Sequence, residues 1–351
     1  MMRQMKLSRR EFGAAALGAG MMSCLGARAA GAAQALAQAP AQPASRTSAP
    51  PAATPLGKQP MPMQLAWVYD AEFIGYFVAR DLGYFASEGI DINILSGGPD
   101  VIPESALVSG KAPLALTTPD TTIKAIADRG AKFRIIGAQY QKSPLGVISL
   151  SETPIHTPAD LVGKTIAVPP VNMSTFQALL KLGKIDKRAV RVVPYQFDPT
   201  PLIKGEIDGT VDFVTDVPYT IGLANKKTVS FLLYDFGVTL FNDTVTVTEE
   251  FLTSHRAALV HWLRAARRGW QENFKDPARY PRLFKETWFR GTGRDTDNEI
   301  FTNRVGQPLM HSPEGFFAMT EEAIQRHIAY FQGIGIRATR EMFDTTLLAE
   351  L

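Results

Sequence analysis

From Met63 onward, short apolar runs alternate with stretches of helical period. Residues 64–69 (QLAWVY) read as a strand and 73–88 as an amphipathic helix ending at Gly89. Residues 90–95 read as a second strand, stopped by Ser96-Gly97-Gly98-Pro99. A short helix over 103–109, a strand over 114–117 and a helix over 121–128 closed by Gly130 follow, then strands over 133–140 and 147–150. Strands separated by helix-length segments predict βαβ units and a largely parallel sheet.

The order then restarts. Strands are expected over 164–168, 190–194, 211–214 and 230–234, with helical stretches at 158–161, 175–182, 201–206 and 219–224 between them. Residues 245–247 would return the chain to the first unit, and helices over 254–273, 277–287 and 313–333 are expected to pack on it. The fold class is α/β, with two hinged lobes: 63–150 plus 248–351, and 151–247. Ligands of open α/β folds bind near the carboxyl ends of strands, so the cleft between the lobes is the expected site.

Charge divides the chain. The formal net charge is +3, but residues 1–62 carry seven Lys/Arg against Glu11 alone, which leaves 30 basic and 33 acidic residues in the body. The body therefore lacks the basic footprint of nucleic-acid binding. The front reads as an address. Arg9 and Arg10 precede a modest apolar run over 13–26, the pattern of a twin-arginine signal over 1–29, too short for a permanent membrane span. Residues 30–62, rich in Ala, Pro and Gln, read as a linker. Cleavage after Ala29 or acylation of Cys24 would both fit, so the mature protein is expected in the periplasm, with a lipid anchor as an alternative. Cys24 is the only cysteine, so the body has no thiol nucleophile, thiolate metal site or disulfide.

Several segments carry a family resemblance. They are Trp67 to Ala79, Gly83-Tyr84-Phe85, Gly97-Gly98-Pro99, Val108 to Ala112, Gln141 to Gly146, Asp160 to Lys164, Phe197 to Leu202 and Gly205 to Gly209. In this order they resemble the type II periplasmic binding proteins that carry thiamine pyrimidine precursors, riboflavin, taurine and alkanesulfonates. The double-glycine-proline and Gln-Lys-Ser-Pro segments are closer to the pyrimidine and riboflavin carriers. Thr215-Asp216-Val217-Pro218 departs from them, since related carriers tend to have Glu before the proline. The resemblance implies a small-molecule ligand, partnership with the permease and ATPase subunits of an ABC importer, and no cofactor.

Candidate ligand contacts fall at strand ends. Trp67, Tyr69 and Phe73 could stack on a flat ring, or fill the core; Trp67 and Tyr69, two apart on a strand, would share one face. Asp70 could accept from a ring amine or cap the helix that follows. Gly97 and Gly98 would let backbone N–H groups approach a ligand, or form a plain turn. Thr118 and Asp120 precede a helix in the first lobe, and Asn172 and Ser174 hold the equivalent corner of the second, where capping is the plainer explanation. Asp198 and Tyr219 lie beside short helices, and Asp216 follows the buried strand over 211–214. No metal site is expected: His255 and His261 are six apart, and His156, His311 and His327 are isolated. No nucleophile elbow or phosphate loop appears. Ligand capture without chemistry is therefore expected. The competing readings are a sulfonate- or nitrate-type carrier of the same fold, and an enzyme of thiamine-pyrimidine biosynthesis.

Overall fold

The computed structural model describes residues 58–351. The expected signal with Arg9 and Arg10, Cys24 and most of the linker lie outside the described residues. The last residues of that linker belong to the fold. Gln59–Pro60 (β1) pairs in parallel with Ile90–Asp91 (β3), and Met61 is fully buried.

Two five-stranded sheets form the two lobes. In the first, Met63–Gln64 (β2) lies between Ile94–Leu95 (β4) and Leu114–Thr117 (β5), parallel to both. Asn242–Thr248 (β12) runs antiparallel between β5 and Phe133–Tyr140 (β6), giving the order β4-β2-β5-β12-β6. In the second, Leu145–Leu150 (β7) runs antiparallel to Gly209–Phe213 (β10) and Thr228–Leu232 (β11). Thr165–Val168 (β8) joins β10 to Arg191–Pro194 (β9), all parallel, giving β11-β7-β10-β8-β9. Each sheet thus contains one antiparallel strand, at the point where the chain has crossed from the other lobe.

The crossings correct the expected boundaries. Residues 145–150 already belong to the second sheet, so the chain leaves the first lobe over 141–144 and returns before Asn242. The C-terminal helices divide as well. Helix Arg256–Lys275 packs Trp262 and Trp270 around Tyr76 in the first-lobe core. Helix Glu321–Gly333 instead contributes Ile324, Ile328 and Phe331 to the core that contains Leu145, Val147 and Val211 of the second lobe. Its His327 stacks on Phe241 at 4.1 Å, and Nε2 accepts from the Phe241 N–H at 2.7 Å. Burial holds that imidazole neutral, its pKa pushed down to about 3.

Two local expectations fail for physical reasons, and one helix is unforeseen. The strand over 64–69 ends at Gln64, and bends carry the chain onward. The helix over 73–88 breaks at Gly83, whose φ of +73° no helix accepts, into Ile74–Asp81 and Tyr84–Ser87. Helix Thr296–Met310 has no counterpart in the sequence reading. Its buried face includes Asn298, Glu299, Thr302 and Asn303, so apolar periodicity does not mark it. Among the described residues, no helix is long and apolar enough to cross a membrane.

Candidate functional site

A cavity of about 590 Å³ lies between the lobes and is lined from both. The size is that of a small-molecule site. The lobes touch across it. Trp67 of the first meets Phe197 of the second at 4.9 Å between ring centroids. The Thr175 hydroxyl donates to Asp120 at 3.1 Å, and Tyr219 to Asp295 at 3.2 Å. Arg294 bonds Asp216 at 2.6 Å.

The structure brings together Trp67, Asp70, Gly98, Thr118, Asp120, Asn172 and Asp216 on the cavity wall. The other candidates lie elsewhere. Tyr69 turns into the first-lobe core, edge-on to Phe77 and Trp288, and its hydroxyl donates to the Ile94 carbonyl at 2.6 Å. It does not share a face with Trp67, because the strand that would alternate them ends at Gln64. Phe73 is fully buried core. Gly97 serves backbone packing: a Cβ there would stand 2.5 Å from the Leu65 carbonyl oxygen. Ser174 is exposed, and its neighbour Thr175 makes the inter-lobe contact. Asp198 is exposed and accepts from the Thr200 N–H at 2.9 Å, a local turn contact two residues on. Tyr219 lies outside the cavity, spanning the lobes beside Phe301.

The floor is acidic. Asp70 precedes a short helical turn and its Oδ1 accepts from the Glu72 N–H at 2.9 Å. Glu72 faces Asp243, and Gln139 donates to the Glu72 carbonyl at 2.8 Å and to Asp243 at 3.0 Å. Burial pushes Asp70 and Glu72 well above the usual carboxylate range; neighbouring Asp243 pushes Glu72 further, while Arg294 opposes the shift at Asp70. Asp243 is itself raised by burial, to about 7. Asp212, on β10, is likewise raised to about 7 by burial.

Arg294 is the one cation lining the cavity among the described residues. Besides Asp216 it bonds Glu299 at 2.9 Å and the Thr302 hydroxyl at 2.9 Å. Burial alone would lower its pKa, but Asp70, Asp216 and Glu299 hold it above its ordinary value. Glu299 completes the brace by accepting from the Ala71 N–H at 2.6 Å.

Sequence reasoning missed Glu72, Asp212, Asp243, Phe197 and Arg294. Two of these carry strain: Phe197 has φ +60° and Asp243 φ +48°. Left-handed backbone costs a residue with a Cβ roughly 1–2 kcal/mol and concentrates at ligand sites. Among the described residues, no group of His, Cys, Asp and Glu has metal-binding geometry.

Two sheets linked by two crossings, with a ligand-sized cavity between them, define a two-lobed binding-protein fold. The chain belongs to the NMT1/THI5-like family, whose model matches residues 70–280. It is 27% identical over 222 residues to a formylaminopyrimidine-binding protein of Halalkalibacterium halodurans, covering 61% of this chain and 66% of that one. It is 25% identical over 256 residues to the riboflavin-binding protein RibY of Chloroflexus aurantiacus, covering 69% and 70%. The periplasmic aliphatic sulphonate-binding protein SsuA of Escherichia coli shares the fold, with a TM-score of 0.61 at 14% identity over 81% of this chain and 96% of that one.

Proposed function

We propose that this protein is the substrate-binding component of an ABC importer, working outside the cytoplasm and capturing a flat heteroaromatic molecule by lobe closure. The observation that carries the reading is the aromatic pair Trp67 and Phe197, one from each lobe, meeting at the cleft. The two rings touch at an interplanar angle of 58°, and a planar ring that replaces this contact with one to each of them gains about 0.5–1.5 kcal/mol per contact beyond area burial. Closure brings both faces to it at once. The pyrimidine- and riboflavin-binding relatives support the same ligand class.

Charge argues against the sulfonate- or nitrate-type alternative. An anion in this cavity would face Asp70, Asp212, Asp216 and Asp243, while Arg294 already serves Asp216 and Glu299. Nothing in the cavity argues for catalysis. No cysteine follows Cys24, so the body offers no thiol nucleophile. The permease and ATPase would be the partners, reading the closed form, and no cofactor is required.

Thermal melting with a panel of thiamine pyrimidines, riboflavin, taurine, alkanesulfonates and nitrate tests the reading, because a ligand of the folded state raises Tm by mass action. A shift with the heteroaromatics is the expected outcome, accompanied by a change in tryptophan fluorescence. A shift with the sulfonates alone would overturn it.

A further inference from the structure

The cavity wall is divided by chemistry. At the floor, Asp70, Glu72, Asp212 and Asp243 are all at least nine-tenths buried. Among the described residues no lysine or histidine lines the cavity, and Arg294 is committed to Asp216, Glu299 and Thr302. Two unmatched polar atoms point to a missing partner, and the Asp216 oxygen calls for a donor. The Thr215 hydroxyl, on a residue 1% exposed, has no partner in the protein, and neither has the buried Oδ1 of Asp216. Buried polar atoms are rarely left unmatched, so both await a group from outside.

The mouth is the reverse. Val101, Ile102, Val171 and Leu223 line it, with Ile102 65% and Leu223 63% exposed. Exposed apolar side chains lining a cavity favour an apolar group that packs against them. The cavity also exceeds what one ring fills, being roughly four times the ~150 Å³ that holds a benzene.

Resting on the reading of the cleft as a site for a flat ring, we infer that its ligand has two ends: a cationic, amidine-like nitrogen group against the floor carboxyls, and an apolar substituent leaving through the mouth. A buried carboxylate offers an amidinium both charge and two parallel acceptors, and the cation compensates the floor as Arg294 compensates its own neighbours.

Titration calorimetry on the intact chain at pH 7.5 tests this with 4-butylbenzamidine, benzamidine, 4-butylbenzoate and taurine. The expected result is that 4-butylbenzamidine binds at least tenfold more tightly than benzamidine and than 4-butylbenzoate. Asp70→Asn, which keeps an N-cap side chain, should remove the preference for cation over anion, and Leu223→Ser should remove only the gain from the butyl chain. Equal binding of the cation and the anion overturns the inference while leaving a flat-ring site in place. So does a butyl chain that adds nothing, or the absence of any binding by 4-butylbenzamidine. Binding of taurine alone overturns the underlying reading as well.

Discussion

Two buried polar clusters sit within the same cleft and are built on opposite terms. Around Arg294, one cation meets Asp216, Glu299 and Thr302, and Glu299 also takes the Ala71 N–H. Around Asp243, acids meet acids: Glu72 and Asp70 are its neighbours, with Gln139 as the only side-chain amide donor from β6. The first cluster holds its own counter-charge, with only the Oδ1 of Asp216 left unpartnered, and ties the lobes together. The second holds no cation of its own and relies on the amides of Gln139 and Asn242, so it is the part of the cleft whose energy a bound molecule can most change.

The largest expected effect comes from breaking the cluster around Arg294. Arg294→Met leaves Glu299, with a side chain 1% exposed, as an uncompensated buried charge. Unfolding in urea should show a loss of about 3–5 kcal/mol; a change below about 1 kcal/mol would mean the brace is not structural.

The incomplete cluster should respond to pH instead. Asp243 and Asp212 have folded-state pKa values raised to about 7. The groups around Asp243 are Glu72 and Asp70, Tyr76 on the following helix, and Tyr140 and Gln139 on β6, with Arg294 beyond Asp70. Asp212 is faced by Asp216, Tyr195 and Arg294. A raised carboxyl pKa stabilises the folded state fully below the unfolded value near 3.9, and that stability is lost as pH rises through about 7. The ligand-free protein should therefore melt roughly 5 °C lower at pH 8 than at pH 5, and Asp243→Asn should flatten the slope. A Tm that rises across this range would contradict the protonated floor.

Smaller effects belong to the ligand walls. Trp67→Ala and Asp216→Ala should each weaken ligand binding tenfold or more, about 1.4 kcal/mol, with the fold retained. Unchanged affinity in both would remove the cleft from its proposed role. Smallest of all, Tyr219→Phe deletes an exposed inter-lobe hydrogen bond to Asp295. Its stability should stay within about 0.5 kcal/mol of the parent.

The same contrast explains what could be read in advance. The two-lobed α/β order was legible because strands such as Phe133–Tyr140 and Leu114–Thr117 are continuous buried runs. Asp216 was legible as a polar residue just past a buried strand, and Asp70 as the residue closing the apolar run 64–69. Arg294 was not, because the helix that braces it buries Asn298, Glu299 and Thr302 and contains Gly306 and Pro308, all of which read as loop. Asp243 was hidden for a related reason. It belongs to β12, whose buried face carries Asn, Asp and Thr, and only tertiary placement puts it beside Glu72. Tyr69 and Trp67 were separated by bends that the apolar run 64–69 does not betray.

The most direct test of the account is the molecule the protein holds when purified from its native cells, released by denaturation and identified by mass spectrometry. The account predicts a nitrogen heteroaromatic bearing an amine or amidine group, recovered from the parent and lost in Trp67→Ala. Recovery of a sulfonate or another organic anion in its place would contradict it.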